Sequence, residues 1–126
     1  QIIKKLKQEY NLNNSFVGLY FGRLGLAKGI DVVLQSIAGI VAKIPNYKQV
    51  FLVPKQQPSK IFGLKNSFDI NQIQDYIKQH KLEDHVVWIE SCPREELKQR
   101  IGASDVVILP TRAEGFGFAI SEVCAL

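Results

Sequence analysis

A chain of 126 residues with 46% apolar content can close one hydrophobic core and is too short for several domains. Its 16 basic and 12 acidic residues leave a formal net charge of +4, yet no three Lys or Arg adjoin, so nothing marks a nucleic-acid surface. No apolar run nears the roughly 18 residues needed to cross a bilayer, and the amino terminus lacks the signs of a signal peptide.

Ile2 to Tyr10 has helical spacing, with Ile2, Ile3, Leu6 and Tyr10 on one side, and Asn11, Asn13 and Asn14 end it. Phe16 to Phe21 reads as a buried strand bounded by Gly22. Ile30 to Ile44 follows as a helix with Ile30, Val33, Leu34, Ile37 and Val41 on its apolar face, stopped by Pro45 and Asn46. Lys48 to Val53 is a second strand, and residues 54–68, with two prolines, are expected to form a surface loop. Asp69 is placed to cap a helix carrying Ile73, Tyr76 and Ile77. His85 to Ile89 is a third strand and Glu95 to Ile101 a short helix introduced by Pro93. Asp105 to Leu109 is a fourth strand, and a last helix runs from about Phe116 to Leu126.

Strands and helices alternate, and the strands are apolar on both faces. This predicts an α/β fold, a Rossmann-like parallel sheet flanked by helices. Helical crossovers put all strand carboxyl ends on one edge, where open sheets bind ligands, so the loops 22–29, 54–68, 90–93 and 110–117 are expected to gather there. The last residues, ISEVCAL, sit inside an apolar helix. Residues 1–126 are therefore expected to be part of a domain of a longer protein, truncated at its carboxyl end.

The first of these loops, GRLGLAKG at 22–29, joins a strand to a helix. Gly22, Gly25 and Gly29 allow close backbone approach, Arg23 offers a planar fork for phosphate oxygens, and Lys28 adds a mobile charge. The helix start supplies N–H groups and a favourable dipole for an anion. The spacing is neither G-x-G-x-x-G nor a Walker loop. On its own it leaves open a diphosphate site and a solvated turn.

The last loop, PTRAEGFGF at 110–118, places Glu114 just beyond the most apolar strand, with Gly115, Phe116 and Gly117 opening the following helix. Glu122 lies on that helix, about 9 Å along its axis from Phe116 at 1.5 Å per residue. Two carboxylates so separated suit different hydroxyls of one extended ligand better than a shared metal. The bland option, Glu122 as an exposed helix residue, stays open on pattern alone.

Three stretches carry a family resemblance: FGRLGLAKGIDVVLQSI at 21–37, LEDHVVWIE at 82–90 and ELKQRIGASDVVILPTRAEGFGFAISE at 96–122. With its E-x7-E pair, EGFGFAISE, the sequence resembles the retaining glycosyltransferases of the GT-B fold, glycosyltransferase family 4 (glycosyl transferases group 1). The likeness covers the carboxyl-terminal, donor-binding half of such enzymes. It implies a hexosyltransferase using a UDP-, GDP- or ADP-linked sugar, with no metal or other cofactor, and an amino-terminal acceptor-binding domain outside this chain. The resemblance gives Arg23 and Lys28 to the donor diphosphate, as catalytic charge stabilisers beside Gly22. It gives Glu114 to the transferred sugar, the Gly115-Phe116-Gly117 backbone to the sugar diphosphate, and Glu122 to the ribose. The fragment alone is expected to be inactive, because a GT-B site closes between two domains.

The sequence departs from the family in two places. VFLVPKQQPSK replaces a glycine-rich turn after the second strand, and Ser91 stands where the turn after the third strand ordinarily has Gly. Both bear on the nucleoside side of the site. His80 and His85 have no partners at metal spacing, Trp88 belongs to the core or its rim, and Asp69, Asp75, Glu83 and Asp84 read as a solvated face. Cys92 and Cys124 form no C-x-x-C pair and read as free thiols of a reducing compartment, which makes the cytoplasm the default location. A peripheral membrane contact is compatible with all of this. The competing functions are a nucleotide-sugar epimerase, a phosphorylase-like GT-B enzyme, and a non-catalytic binding module or partner subunit.

Overall fold

The computed structural model describes residues 8, 14–22, 28–53, 70–90 and 93–110. Among the described residues, four strands, β1 (Phe16–Phe21), β2 (Tyr47–Val53), β3 (Val86–Glu90) and β4 (Val106–Val107), alternate with three helices of defined bounds. These are α1 (Ile30–Lys43), α2 (Ile70–Gln79) and α3 (Arg94–Gly102), and one 3-10 turn at Glu83–His85 precedes β3. All strand pairs are parallel and the order across the sheet is β3-β2-β1-β4.

Each face of the sheet has its own core. Tyr20, Phe51 and Val53 meet Ile30, Val33, Leu34 and Ile37 of α1 and Ile73 and Ile77 of α2 on one side. Val17, Leu19, Val50, Leu52 and Ile89 meet Ile101 of α3 on the other, with Leu97 packed at its margin. The chain steps β1 to β2 to β3 in one direction, then crosses back beyond β1 to reach β4. With crossovers of one hand, that reversal requires α3 to cover the opposite face from α1 and α2. The two cores show this three-layer arrangement.

Local sequence explains the element ends. The apolar spacing of α1 buries Ile30, Val33, Leu34 and Ile37, while Asp31 in its first turn and Lys43 in its last suit the helix dipole. Ile44 donates its N–H to the Ile40 carbonyl at 2.7 Å, and Pro45, lacking an N–H, cannot extend the helix. Gly39 lies in the middle of α1 with nothing within 4 Å of an added Cβ. Gly39→Ala should therefore raise stability by about 0.5–1 kcal/mol, measured by urea denaturation. A loss of stability would contradict the open surface seen here.

At the amino edge, the Asn46 side chain donates to the Asn14 carbonyl at 2.9 Å, and a ring nitrogen of His85 bonds the Tyr47 carbonyl at 2.9 Å. The Tyr47 hydroxyl donates to Gln49 Oε1, and both side chains are buried. Burial pushes the Tyr47 phenol up to about 12, so it remains a neutral donor.

Several boundaries differ from the sequence expectation, most of them by one residue. β3 starts at Val86, because His85 completes the 3-10 turn instead of opening the strand. Pro93 is the amino-terminal cap of α3, its carbonyl accepting the Leu97 N–H at 3.0 Å. β4 is paired over Val106–Val107 only, although bonds from Asp105 N to Val17 O (2.8 Å) and Ile108 N to Leu19 O (2.8 Å) carry the ladder one step each way. The Asp105 carboxylate also accepts the Val17 N–H at 2.7 Å, fastening β4 to the start of β1. Of the first expected helix only Gln8 is described, and it is helical. The loop 54–68, Asp69, Cys92, Cys124 and the last helix lie outside the described residues.

Candidate functional site

The order β3-β2-β1-β4 has its switch point between β1 and β4, where the direction of winding reverses. Crossovers leaving the two neighbouring carboxyl ends there diverge to opposite sides, and the crevice left between them is where open α/β sheets hold ligands. The β1 exit begins at Gly22, whose N–H reaches the Leu52 carbonyl at 3.1 Å. The β4 exit runs through Ile108 to Pro110. The two loops that carry the sequence motifs therefore leave from adjacent strands.

Their described ends also touch. Gly29, the residue before α1, has φ 74 and ψ 21, and its carbonyl accepts the N–H groups of Val32 and Val33 at 3.0 and 3.3 Å. A Cβ on Gly29 would overlap the Pro110 carbonyl oxygen and lie 2.7 Å from its carbon and 2.9 Å from its Cγ. Glycine is needed here twice over, for the left-handed backbone and for the close approach. Lys28, half-buried, directly precedes this contact. The leading N–H groups of α1, which an α-helix leaves without intrahelical acceptors, belong to the same edge.

Tyr20 lies beside the β1 exit. Tyr20 is buried at 1% exposure, and its hydroxyl lies 3.7 Å from where a Gly22 Cβ would stand. Burial, and then the charge of Asp31 in the first turn of α1, raise the Tyr20 phenol well above its ordinary value. It stays a neutral hydroxyl at physiological pH.

Gly22 and Lys28 thus lie on one edge beside the β4 exit. Arg23, Glu114, Gly115, Phe116, Gly117 and Glu122 lie outside the described residues, as do Pro54, Lys55 and Ser91. His80 stacks on Tyr76 with ring centroids 4.1 Å apart, and His85 is bound to Tyr47, so neither histidine joins the edge. Trp88 packs against Phe51 at 5.5 Å, inside the core margin. Asp75, Glu83 and Asp84 are exposed. The role of Gly29 in joining the two exits was not visible in the sequence, where only a Lys-Gly pair before a helix hints at it.

The sequence profile of the glycosyl transferases group 1 family matches residues 2–126. The chain belongs to that family. Spore coat protein SA of Bacillus subtilis is 27% identical over 110 residues, which span 83% of this chain and 26% of that protein. Among solved structures, Anabaena Alr3699/HepE in complex with UDP and glucose superimposes with a TM-score of 0.76 at 24% identity, covering 96% of this chain and 30% of that one. The carboxyl-terminal domain of a group 1 glycosyl transferase, LpcC from Francisella tularensis, superimposes at 0.74 with 20% identity, covering 94% of this chain and 60% of that one.

The parallel sheet with helices on both faces accordingly has the Rossmann-like fold of the carboxyl-terminal domain of GT-B proteins. The chain spans about a quarter to a third of the length of the full-size relatives. Among its described residues, no three His, Cys, Asp or Glu side chains gather as a metal site. Also among the described residues, no helix is long and apolar enough to cross a membrane.

Proposed function

We propose that this chain is the donor-binding part of a two-domain, retaining, metal-independent glycosyltransferase, which moves a hexose from a nucleoside diphosphate to an acceptor held by another domain. The observation that carries the reading is the meeting of Gly29 and Pro110 at the switch point of the sheet. Several of the groups assigned to the donor stand close to it in the chain. Arg23 adjoins Gly22, Lys28 adjoins Gly29, and Glu114, four residues past Pro110, is kept within about 14 Å of it by chain length alone.

In this reading the helix start, Arg23 and Lys28 take the diphosphate. Bond cleavage moves negative charge onto the departing diphosphate, and fixed donors aimed at that charge lower the barrier without a cation. Glu114 orients the sugar, the Gly115-Phe116-Gly117 backbone lines the sugar diphosphate, and Glu122 accepts hydrogen bonds from ribose hydroxyls. The Anabaena structure holding UDP and glucose supports a UDP-linked donor as the first to test.

The full-length enzyme should transfer hexose at an unchanged rate in excess EDTA, and the product should keep the donor's anomeric configuration by NMR. Loss of activity in EDTA, restored by a divalent cation, would remove the metal-independent part of the proposal. An inverted product would remove the retaining part.

A further inference from the structure

Gly29 does more than end a loop. We propose that it is a positioning residue that sets the spacing between the β1 and β4 exits, so that the diphosphate and the sugar of one donor are gripped together. This rests on the donor-binding reading above. The Pro110 carbonyl and ring occupy the space that a Cβ on Gly29 would fill, so any other residue must push the two exits apart.

The anchoring on each side decides which exit moves. Helix α1 is held against the sheet by Ile30, Val33, Leu34 and Ile37, all at 2% exposure or less. The β4 exit, fastened to β1 at Asp105, is held beyond it by half-buried Val107 and Ile108 in place of fully buried side chains. Its described pairing is Gly18 with Val106 and Leu19 with Val107, continued by the Ile108–Leu19 hydrogen bond, and Val106 is 40% exposed. An added methyl is therefore expected to shift the β4 exit more than the fully buried start of α1. A ligand gripped only by the β1–α1 side is spared, and one spanning both exits is not. Misplacement by about 1 Å is enough to cost a site orders of magnitude in function.

The test compares Gly29→Ala and Gly29→Asn in the full-length enzyme, both on a Gly39→Ala background that offsets lost stability. Dissociation constants are measured for UDP and UDP-glucose, GDP and GDP-mannose, and ADP and ADP-glucose. For the pair the wild type binds, Gly29→Ala should weaken the nucleotide sugar about tenfold or more relative to the bare nucleotide. A smaller folded fraction would lower both alike and leave the ratio unchanged. Asparagine tolerates the left-handed backbone but still carries a Cβ, so Gly29→Asn should fail as Gly29→Ala does. A ratio unchanged in both variants, or full rescue by asparagine, overturns the positioning role while the donor-binding reading stands. A wild type that binds none of the six ligands overturns the donor-binding reading and this proposal with it.

Discussion

Replacing Glu114 with alanine in the full-length enzyme should lower sugar transfer by about 10²–10³-fold, while affinity for the bare nucleoside diphosphate stays within about threefold. The split follows from where the residue is tethered. Glu114 leaves from β4, whereas the groups assigned to the diphosphate leave from β1 and the start of α1. A carboxylate among sugar hydroxyls acts on the part of the donor that is moving, and its contribution grows as positive charge develops at the anomeric carbon. Removing it costs transition-state stabilisation of about 3–4 kcal/mol, the range seen when one preorganised group is deleted from such a site. Single-turnover rates and nucleotide titrations on the same preparation read the two effects separately. Equal losses of rate and of nucleotide affinity would make Glu114 a structural residue.

Phe51→Ala should destabilise the fold by about 3–5 kcal/mol, the range for a large aromatic deleted from a packed core. Phe51 is fully buried at the centre of β2, with ring centroids 5.9 Å from Tyr20 and 5.5 Å from Trp88. Its backbone pairs with Tyr20 on one side and Trp88 on the other, so the three rings form a row across β1, β2 and β3 on the face covered by α1 and α2. Domains of this size are stable by only about 5–15 kcal/mol, so the loss is a large share of the total. Trp88, the sole tryptophan of the 126 residues, reports on unfolding through its emission in urea. A change below about 1 kcal/mol would be incompatible with a ring packed as described.

Much of the architecture was legible because the sequence punctuates it. Gly22 closes β1, Pro45 stops α1, and the apolar positions of α1 recur at the helical period, so their boundaries were within one residue of those observed. β4 was overestimated for a reason inherent in the signal. An apolar run such as Val106 to Leu109 reports burial, whereas a strand is defined by pairing, and the described pairing of β4 is short. His85 was assigned to the strand because it directly precedes the apolar run Val86 to Ile89, whereas its N–H bonds the Leu82 carbonyl at 2.9 Å and closes a 3-10 turn.

The candidate site was legible as spelling before it was legible as a place. The Arg23-to-Gly29 and Glu114-to-Glu122 motifs could be read from residue types and from a family likeness. Periodicity predicts strands but not their order across a sheet. The order β3-β2-β1-β4 is what makes the two loops neighbours, and the Gly29–Pro110 approach is what joins them. Both depend on residues some 80 positions apart, and no local pattern encodes that proximity.

The central claim is that the β1–β4 switch point binds the diphosphate of a nucleotide donor. Isothermal titration of UDP, GDP and ADP into the wild-type protein and into Arg23→Ala tests it most directly. At least one nucleotide should bind the wild type, and Arg23→Ala should weaken it by about tenfold or more, as expected for the loss of a charge-assisted hydrogen bond of about 1.5–3 kcal/mol. Negligible heats for all three nucleotides with folded wild-type protein, or identical affinities with and without the Arg23 guanidinium, would contradict it.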